Sequence, residues 1–566
     1  MSLQSTTPAL FALTLAALLA QGCATRADTT REPAAEPVRV QLLATNDFHG
    51  NLEPPSGSSG RIRTGPSATD TVDAGGAEYL ATLIASLRAE NPNTITVAAG
   101  DVIGASPLLS SLFHDEPTIE SMNALGLDVT AVGNHELDEG TDELLRMQRG
   151  GCHPTAGCFG GDGFDGAAFD FLAANVIHTE SGEPLLPGTR IIERGGVRIG
   201  FIGLTLEGTP AIVSPSSLAG YRVDDEAETI NRLVPGLLDA GVATVVVLLH
   251  EGLVNPSPEA FNGCDGVSGP ASEISEKLDP AVSVLITGHT HNAYICRDAN
   301  RLITSAASFG RLVTDIDLVF AGNRLISAEA RNVVVTRDRA ADPAQTALIA
   351  RYDALAAPMA NRVVGRAASD ILRAPSAGLD SPLGGLIADA QLSAQSPAEG
   401  IAGHVAFMNL GGVRGDLTAG RVSGGEQPGE ITYEEAFTVQ PFGNLLVSMT
   451  LTGAQLVELL ESQWRASKNE AAILTPSATL HYTWSDTPGA DGRRATGIHI
   501  EGRPLDEAAS YRVTVSSFLA EGGDGFTAFK AGTARKTGGS DVDAFTAWLG
   551  AHSPVAPPSA PRVTRR

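Results

Sequence analysis

Six short apolar runs in the first half of the chain constrain its fold more than any other feature. They cover residues 38–45, 94–99, 129–132, 197–204, 242–249 and 282–287. Each is rich in Val, Ile, Leu or Ala and reads as a strand. Between them lie stretches long enough for helices, and residues 77–90 have an amphipathic helical period. This is the α/β pattern of strands buried on both faces. Nearly all the runs are followed closely by a glycine or a polar, metal-capable residue. In such folds the strand C-termini carry the chemistry.

Four motifs at these ends hold most of the informative residues. They are Thr45-Asn46-Asp47-Phe48-His49-Gly50, Gly100-Asp101, Gly133-Asn134-His135-Glu136 and Gly288-His289-Thr290-His291, joined by His250 at the end of its own run. Asp47 and His49 stand two apart, so at a strand end both side chains can point the same way. Asp101 is the candidate for a carboxylate bridging two cations. Asn134 offers a carbonyl oxygen, and His250, His289 and His291 offer imidazoles. This mixed hard and borderline set suits Zn, Mn, Fe or Co better than Ca. Singly, an Asp at a strand end is ordinarily a cap and a lone His a satisfied polar group; their joint occurrence points to a site for two divalent ions. Two ions side by side are a device for attacking phosphate esters with water. His135 has Asp138 three residues on, at helical spacing. The carboxylate would fix the imidazole tautomer beside the metals, where it can stabilise phosphoryl charge or protonate a leaving oxygen. The simpler alternative is that Asp138 caps the following helix.

At 566 residues the chain exceeds one ordinary core, and a 43% hydrophobic content is that of a globular protein. The division read from the sequence is a leader over 1–23, a tether over 24–37, a first domain over 38–340, a linker helix over 341–360, a second, α+β domain over 361–552 and a loose tail over 553–566. Thirty-nine basic against 65 acidic residues give a formal charge of −26, which excludes nucleic acid as the expected partner. An anionic small substrate would need cations and a few arginines to reverse the sign locally.

Residues 8–22 form an apolar stretch ending at Cys23, too short for a membrane span and right for a signal sequence. Ala20-Gln21-Gly22-Cys23 resembles a bacterial lipobox, so export is expected to the periplasm or cell surface. The possible lipid on Cys23 would be the only membrane contact. Removing Cys23 leaves Cys152, Cys158, Cys264 and Cys296, an even number suited to an oxidising compartment. Proximity favours Cys152 with Cys158 and Cys264 with Cys296; spacing leaves the other two pairings open, and a zinc site is less favoured.

The second half adds Asn409-Leu410-Gly411-Gly412-Val413-Arg414, Gln440-Pro441-Phe442-Gly443-Asn444 and the run from Phe518 through Gly522-Gly523-Asp524-Gly525 to Phe526. With the metal motifs in order before them, the chain resembles the bacterial 5′-nucleotidases of the calcineurin-like metallophosphatase superfamily over residues 38–529. The resemblance implies an α/β two-domain architecture, an N-terminal α/β-sandwich metallophosphoesterase domain followed by a nucleotide-binding domain. It implies one ion at Asp47, His49, Asp101 and His291 and another at Asp101, Asn134, His250 and His289, with His135 and Asp138 as the catalytic pair. Phe442 and Phe518 would sandwich the base, Asn409 would contact it, Asp524 would bind the ribose hydroxyls and Arg414 the phosphate. Read without the family, both phenylalanines are core residues. Two departures stand out. Some members carry Gln at His291, and some place arginines where residues 377–385 here have none, leaving Arg373 as the nearest cation. The implied reaction is hydrolysis of nucleoside 5′-monophosphates. The same site could instead serve 2′,3′-cyclic nucleotides or nucleotide sugars, and a non-catalytic surface nucleotide-binding lipoprotein is the reading from another class.

Overall fold

The structure, a computed structural model, describes residues 37–566 apart from 56, 68, 160–162, 214–215, 299–300, 376–377, 395–400, 423 and 466–469. The expected leader and nearly all of the tether lie outside the described residues.

The apolar runs fold into the hearts of two six-stranded sheets. In one, the strand order is Arg324–Val334, Leu312–Ala321, Val38–Thr45, Thr94–Ala98, Val129–Ala131, Asp170–Leu172. In the other it is Ala293–Arg297, Leu302–Ala306, Val282–Thr287, Thr244–His250, Val197–Thr205, Thr189–Arg194. Val38–Thr45 pairs parallel with Thr94–Ala98, and Thr244–His250 pairs parallel with both of its neighbours. The sheets face each other. Val40, Leu42, Ile95 and Val97 of the first pack with Phe201, Val246, Leu248 and Val284 of the second in one buried cluster. Helices Ala77–Arg88 and Glu116–Leu125 cover one outer face, and Glu226–Asp239 and Pro270–Lys277 the other. Burial on both faces is why these strands read as unbroken apolar runs. Parallel pairing is why their C-terminal ends share one edge of the sandwich.

The loop after helix Thr141–Arg149 is closed by Cys152–Cys158, and Cys264–Cys296 ties a long loop to an edge strand. These are the pairings that proximity favoured. Helix Pro343–Ala360, with Asp342 accepting from the N–H groups of Ala344 and Gln345, runs into the C-terminal half. There, strands Thr475–Pro476, His404–Met408, Ser510–Ser516, Leu445–Thr452 and Thr533–Ser540 form a five-stranded sheet, with helices Pro382–Ser393 and Asp541–His552 packed together beside it. Thr432 with Glu435, and Thr452 with Gln455, form reciprocal helix caps.

The stretch expected as a loose tail is instead part of the fold. Val563–Arg565 pairs parallel with Leu480–Trp484, and Val563 is fully buried. The backbone N–H groups of Arg562 and Val563 donate to Asp380 at 3.1 and 3.0 Å, while the Arg562 guanidinium meets Asp389 at 2.6 Å. Proline content set the expectation; one apolar side chain and one buried arginine override it.

Asp541 opens the last helix and is 2% exposed. Burial raises its pKa to about 7, although the Val542 N–H donates to it at 2.8 Å. The folded pKa lies above the unfolded one, so the fold prefers the neutral acid. Stability is fully present below about pH 4 and falls until the pH passes about 7, by roughly 2–4 kcal/mol after allowing for the favourable helix end. Asp541→Asn is therefore expected to raise the melting temperature near pH 8 and to leave it unchanged near pH 4. Equal melting of the two proteins near pH 8 would contradict this.

Candidate metal centre and active site

One strand end, at His250, and the loops after the other central strands bring all seven expected metal ligands to one edge. Asp47, His49 and His291 form one group and Asp101, His250 and His289 another, with donor atoms in each lying within 4.8 Å of one another. His250 Nε2 lies 3.0 Å from Asp101 Oδ2 and 3.2 Å from Asn134 Oδ1, which His289 Nδ1 approaches to 3.0 Å. His291 Nε2 is 3.4 Å from Asp47 Oδ1. Asp101 Oδ2 also lies 3.6 Å from His49 Nε2, so this carboxylate stands between the groups.

The geometry is not that of alternating strand residues, as the Asp47–His49 spacing suggested. The strand ends at Thr45, and Asp47, His49, Asp101, His289 and His291 all have left-handed backbones, with φ of 50°, 47°, 49°, 66° and 56°. Asp and His tolerate this region better than most residues, at about 1 kcal/mol each. Gly100, at φ 82°, has no such latitude: a Cβ there would sit 2.6 Å from His250 Nδ1. At Gly133 a Cβ would sit 2.2 Å from Asp101 Oδ1.

The ring nitrogens turned away from the cage are held by backbone. Gly104 O holds His49 Nδ1 and Ala99 O holds His250 Nδ1, both at 2.8 Å. Each ring is thereby fixed as the Nδ1–H tautomer with the Nε2 lone pair facing inward, the arrangement of metal-binding imidazoles. His49 Nε2 and His291 Nε2 lie 3.1 Å apart, where two lone pairs repel unless a proton or cation lies between them. Burial disfavours a charged His250, but Asp101 overrides it and raises its pKa to about 10, while burial drives His49 down to about 3 and His289 to about 4. The donor set thus fits divalent cations, and its chemistry is that of borderline metals.

Three supporting groups were not singled out from the sequence. Glu136, 3% exposed, accepts the backbone N–H groups of Asp101, Val102 and Gly133 at 2.9, 2.7 and 2.6 Å, clamping two ligand loops together. Burial, then Asp101, raises its pKa to about 7. Asn46 donates to Asp47 Oδ2 and Ala307 O, each at 2.6 Å. Phe309, itself at φ 60°, sets its ring 5.9 Å from that of His49 and 5.3 Å from that of His291. For Glu136 and Asn46 the signal was adjacency to a ligand; Phe309 gives none.

His135 Nδ1 meets Asp138 Oδ2 at 2.8 Å, and helix Thr141–Arg149 begins only later, so Asp138 is engaged with the imidazole and not as a cap. Burial opposes protonation of His135, but Asp138 and Asp101 prevail and its pKa is raised. The Phe442 ring lies 5.9 Å from His135 at 19°, and the Arg414 guanidinium sits 5.4 Å over Phe442. Burial, then Arg373, lowers the Arg414 pKa, while Asp101, Asp138 and Asp524 all act on it in the opposite sense. Asn409 Nδ2 donates to Asp524 Oδ2 at 2.7 Å, and both line a cavity of about 620 Å³ with Trp464 and Phe526. Phe518 is half-buried, its ring against Gly523. Of the expected substrate residues, Phe442 and Arg414 lie beside His135 and Asp138, and Asn409 and Asp524 line this cavity, whose Gly411 carbonyl accepts from Arg414 Nη1 at 3.4 Å.

Two family profiles match the chain, calcineurin-like phosphoesterase over residues 40–293 and the 5′-nucleotidase C-terminal domain over residues 363–531. The chain belongs to the calcineurin-like phosphoesterases that carry a 5′-nucleotidase C-terminal domain. Endonuclease YhcR of Bacillus subtilis is 32% identical over 495 residues, covering 86% of this chain and 37% of that protein. Cell wall protein Lmo0130 of Listeria monocytogenes is 32% identical over 541 residues, covering 89% and 66%. The chain therefore spans about a third of one relative's length and about two thirds of the other's. The crystal structure of a 5′-nucleotidase precursor from Thermus thermophilus matches with a TM-score of 0.72 at 25% identity, covering 93% of this phosphoesterase and 99% of that chain.

Proposed function

We propose that this phosphoesterase is an exported hydrolase of nucleoside 5′-monophosphates, releasing nucleoside and phosphate. The observation that carries the reading is the His135–Asp138 pair, 2.8 Å apart, between the ligand cage and Phe442 of the C-terminal half. Asp47, His49, Asp101 and His291 would hold one divalent ion, and Asp101, Asn134, His250 and His289 a second, with Zn, Mn, Fe or Co suited to the donors. When bound, such a pair supplies Lewis-acid polarisation of the phosphoryl group and lowers the pKa of water. Asp138 occupies His135 Nδ1, leaving Nε2 to donate to a phosphoryl or leaving-group oxygen. Arg414 would attract the phosphate and Phe442 would stack on the base, with Asn409, Asp524 and Phe518 completing the nucleoside contacts. The similarity to the T. thermophilus 5′-nucleotidase precursor supports the substrate class. Export is supported by the apolar stretch ending at Cys23 and by the relative named a cell wall protein.

A phosphate-release screen tests the reading, with AMP, 2′,3′-cyclic AMP, UDP-glucose and a single-stranded oligonucleotide offered with Mn, Zn or Co. AMP is expected to turn over with the highest kcat/KM. Preference for the cyclic nucleotide or the nucleotide sugar would replace the substrate while keeping the site. AMP binding without turnover under every metal would favour a nucleotide-capturing surface protein. Cleavage of the oligonucleotide alone would align the chain with YhcR instead.

A further inference from the structure

A second group of ligand-type side chains gathers outside the cage. His114 follows the short helix Leu108–Ser111, Glu139 follows the turn His135–Leu137, Glu143 lies in helix Thr141–Arg149, and His153 sits in the loop closed by Cys152–Cys158. One donor atom from each lies within 4.8 Å of the other three. His114 Nδ1 meets Glu139 Oε2 at 2.6 Å, and the His114 and His153 rings stack at 3.8 Å and 5°.

The structure assigns a further divalent-cation site, of zinc-like preference, to His114, Glu139, Glu143 and His153. Two imidazoles and two carboxylates form a complete tetrahedral donor set for zinc. Donors around such an ion lie about 3.3 Å apart, so these four, within 4.8 Å of one another, would close by up to about 1.5 Å. Glu139 is free to move, its side chain being 46% exposed. Glu143 accepts from Arg146 Nε at 3.0 and 2.9 Å and from Arg146 Nη2 at 2.6 Å, which leaves about one of a carboxylate's four lone-pair positions for an ion. Binding would cost the His114–Glu139 hydrogen bond and the parallel stacking of the two imidazoles, whose planes must turn for their lone pairs to converge, and, where His153 offers Nδ1, the Ala156 N–H bond at 3.0 Å, an exposed bond worth about 1 kcal/mol. A surface ion pair explains His114 with Glu139, but not the arrival of a second imidazole and a second carboxylate at the same point.

The position gives the site a purpose. His114, Glu139 and Glu143 line a cavity of about 70 Å³ together with His135, Asp138 and Phe442. That volume holds an ion and about two waters, and is too small for a nucleotide. A cation there would add positive charge one residue from Asp138, in a chain of formal charge −26 whose cleft must admit an anion.

Equilibrium dialysis of the whole protein against buffered Zn²⁺, followed by elemental analysis, tests the site. Wild type is expected to retain one zinc equivalent more than His114→Ala, and His153→Ala to bind that equivalent at least tenfold more weakly. A Co²⁺ titration should show one absorption step that His114→Ala lacks. Glu139→Gln, at an exposed position, and His153→Ala, at a half-buried one, serve if His114→Ala fails to fold. The readout is a difference between proteins, so it holds however many ions occupy the main cage and whether or not AMP is hydrolysed. Equal zinc content in wild type and every folded variant overturns the proposal.

Discussion

Replacing Asp101 with alanine is expected to abolish release of phosphate from AMP. Asp101 is the carboxylate within reach of both histidine groups, 3.0 Å from His250 and 3.6 Å from His49, so its loss strips a ligand from each candidate ion position at once. A fall of roughly 10³-fold or more, about 4 kcal/mol of barrier, is the expected size. His250→Ala should behave alike. His135→Ala and Asp138→Asn should be milder, about 10²-fold, because they remove an acid or its orienting partner and leave the cage. Circular dichroism of each variant should match wild type. Wild-type-like turnover by Asp101→Ala or His250→Ala would sink the metal-based reading, and an unfolded variant would shift the test to the other.

The second large effect is expected at a residue that touches no proposed ligand atom of substrate or ion. Glu136→Ala would leave the buried N–H groups of Asp101, Val102 and Gly133 without their acceptor. Each such loss costs about 1–3 kcal/mol, so a destabilisation of roughly 4 kcal/mol or more should appear in urea unfolding. Metal content should fall with it, because the two loops it clamps carry Asp101 and Asn134. Glu136→Gln keeps one acceptor oxygen and should fall between. Stability within about 1 kcal/mol of wild type, with full metal content, would show that the loops hold their shape by other means.

These two residues also mark how far the sequence could be read. Asp101 was legible because it follows an apolar run with only Gly100 between, and that closeness survives folding: the strand Thr94–Ala98 carries it to the edge of the sandwich. The strands from Val38, Thr94 and Val282 were legible for the same reason, since burial on both faces writes itself as continuous Val, Ile and Leu. Glu136 was printed beside Asn134 and His135, yet two of its partners, Asp101 and Val102, lie far upstream in the chain, and no local pattern announces an acceptor for their N–H groups. The left-handed turns at Asp47 and His49 were hidden too, because nothing but packing against other loops imposes them. Phe309 reaches the cage only through the return of a strand from the far end of the domain. In the second half, Val563 joins a strand that lies far back in the chain, which proline-rich composition conceals.

The reversed turns at Asp47, His49, Asp101, His289 and His291 carry a lesson for how such a protein is loaded. Donors carried on backbone wound this tightly have little freedom to wrap around a guest. Their conformational cost is met during folding, by the hydrogen bonds and packing that hold the loops. Exchange of one borderline metal for another should then proceed without the polypeptide reordering, and supply in the surroundings, more than selection by the chain, would decide which metal the enzyme carries.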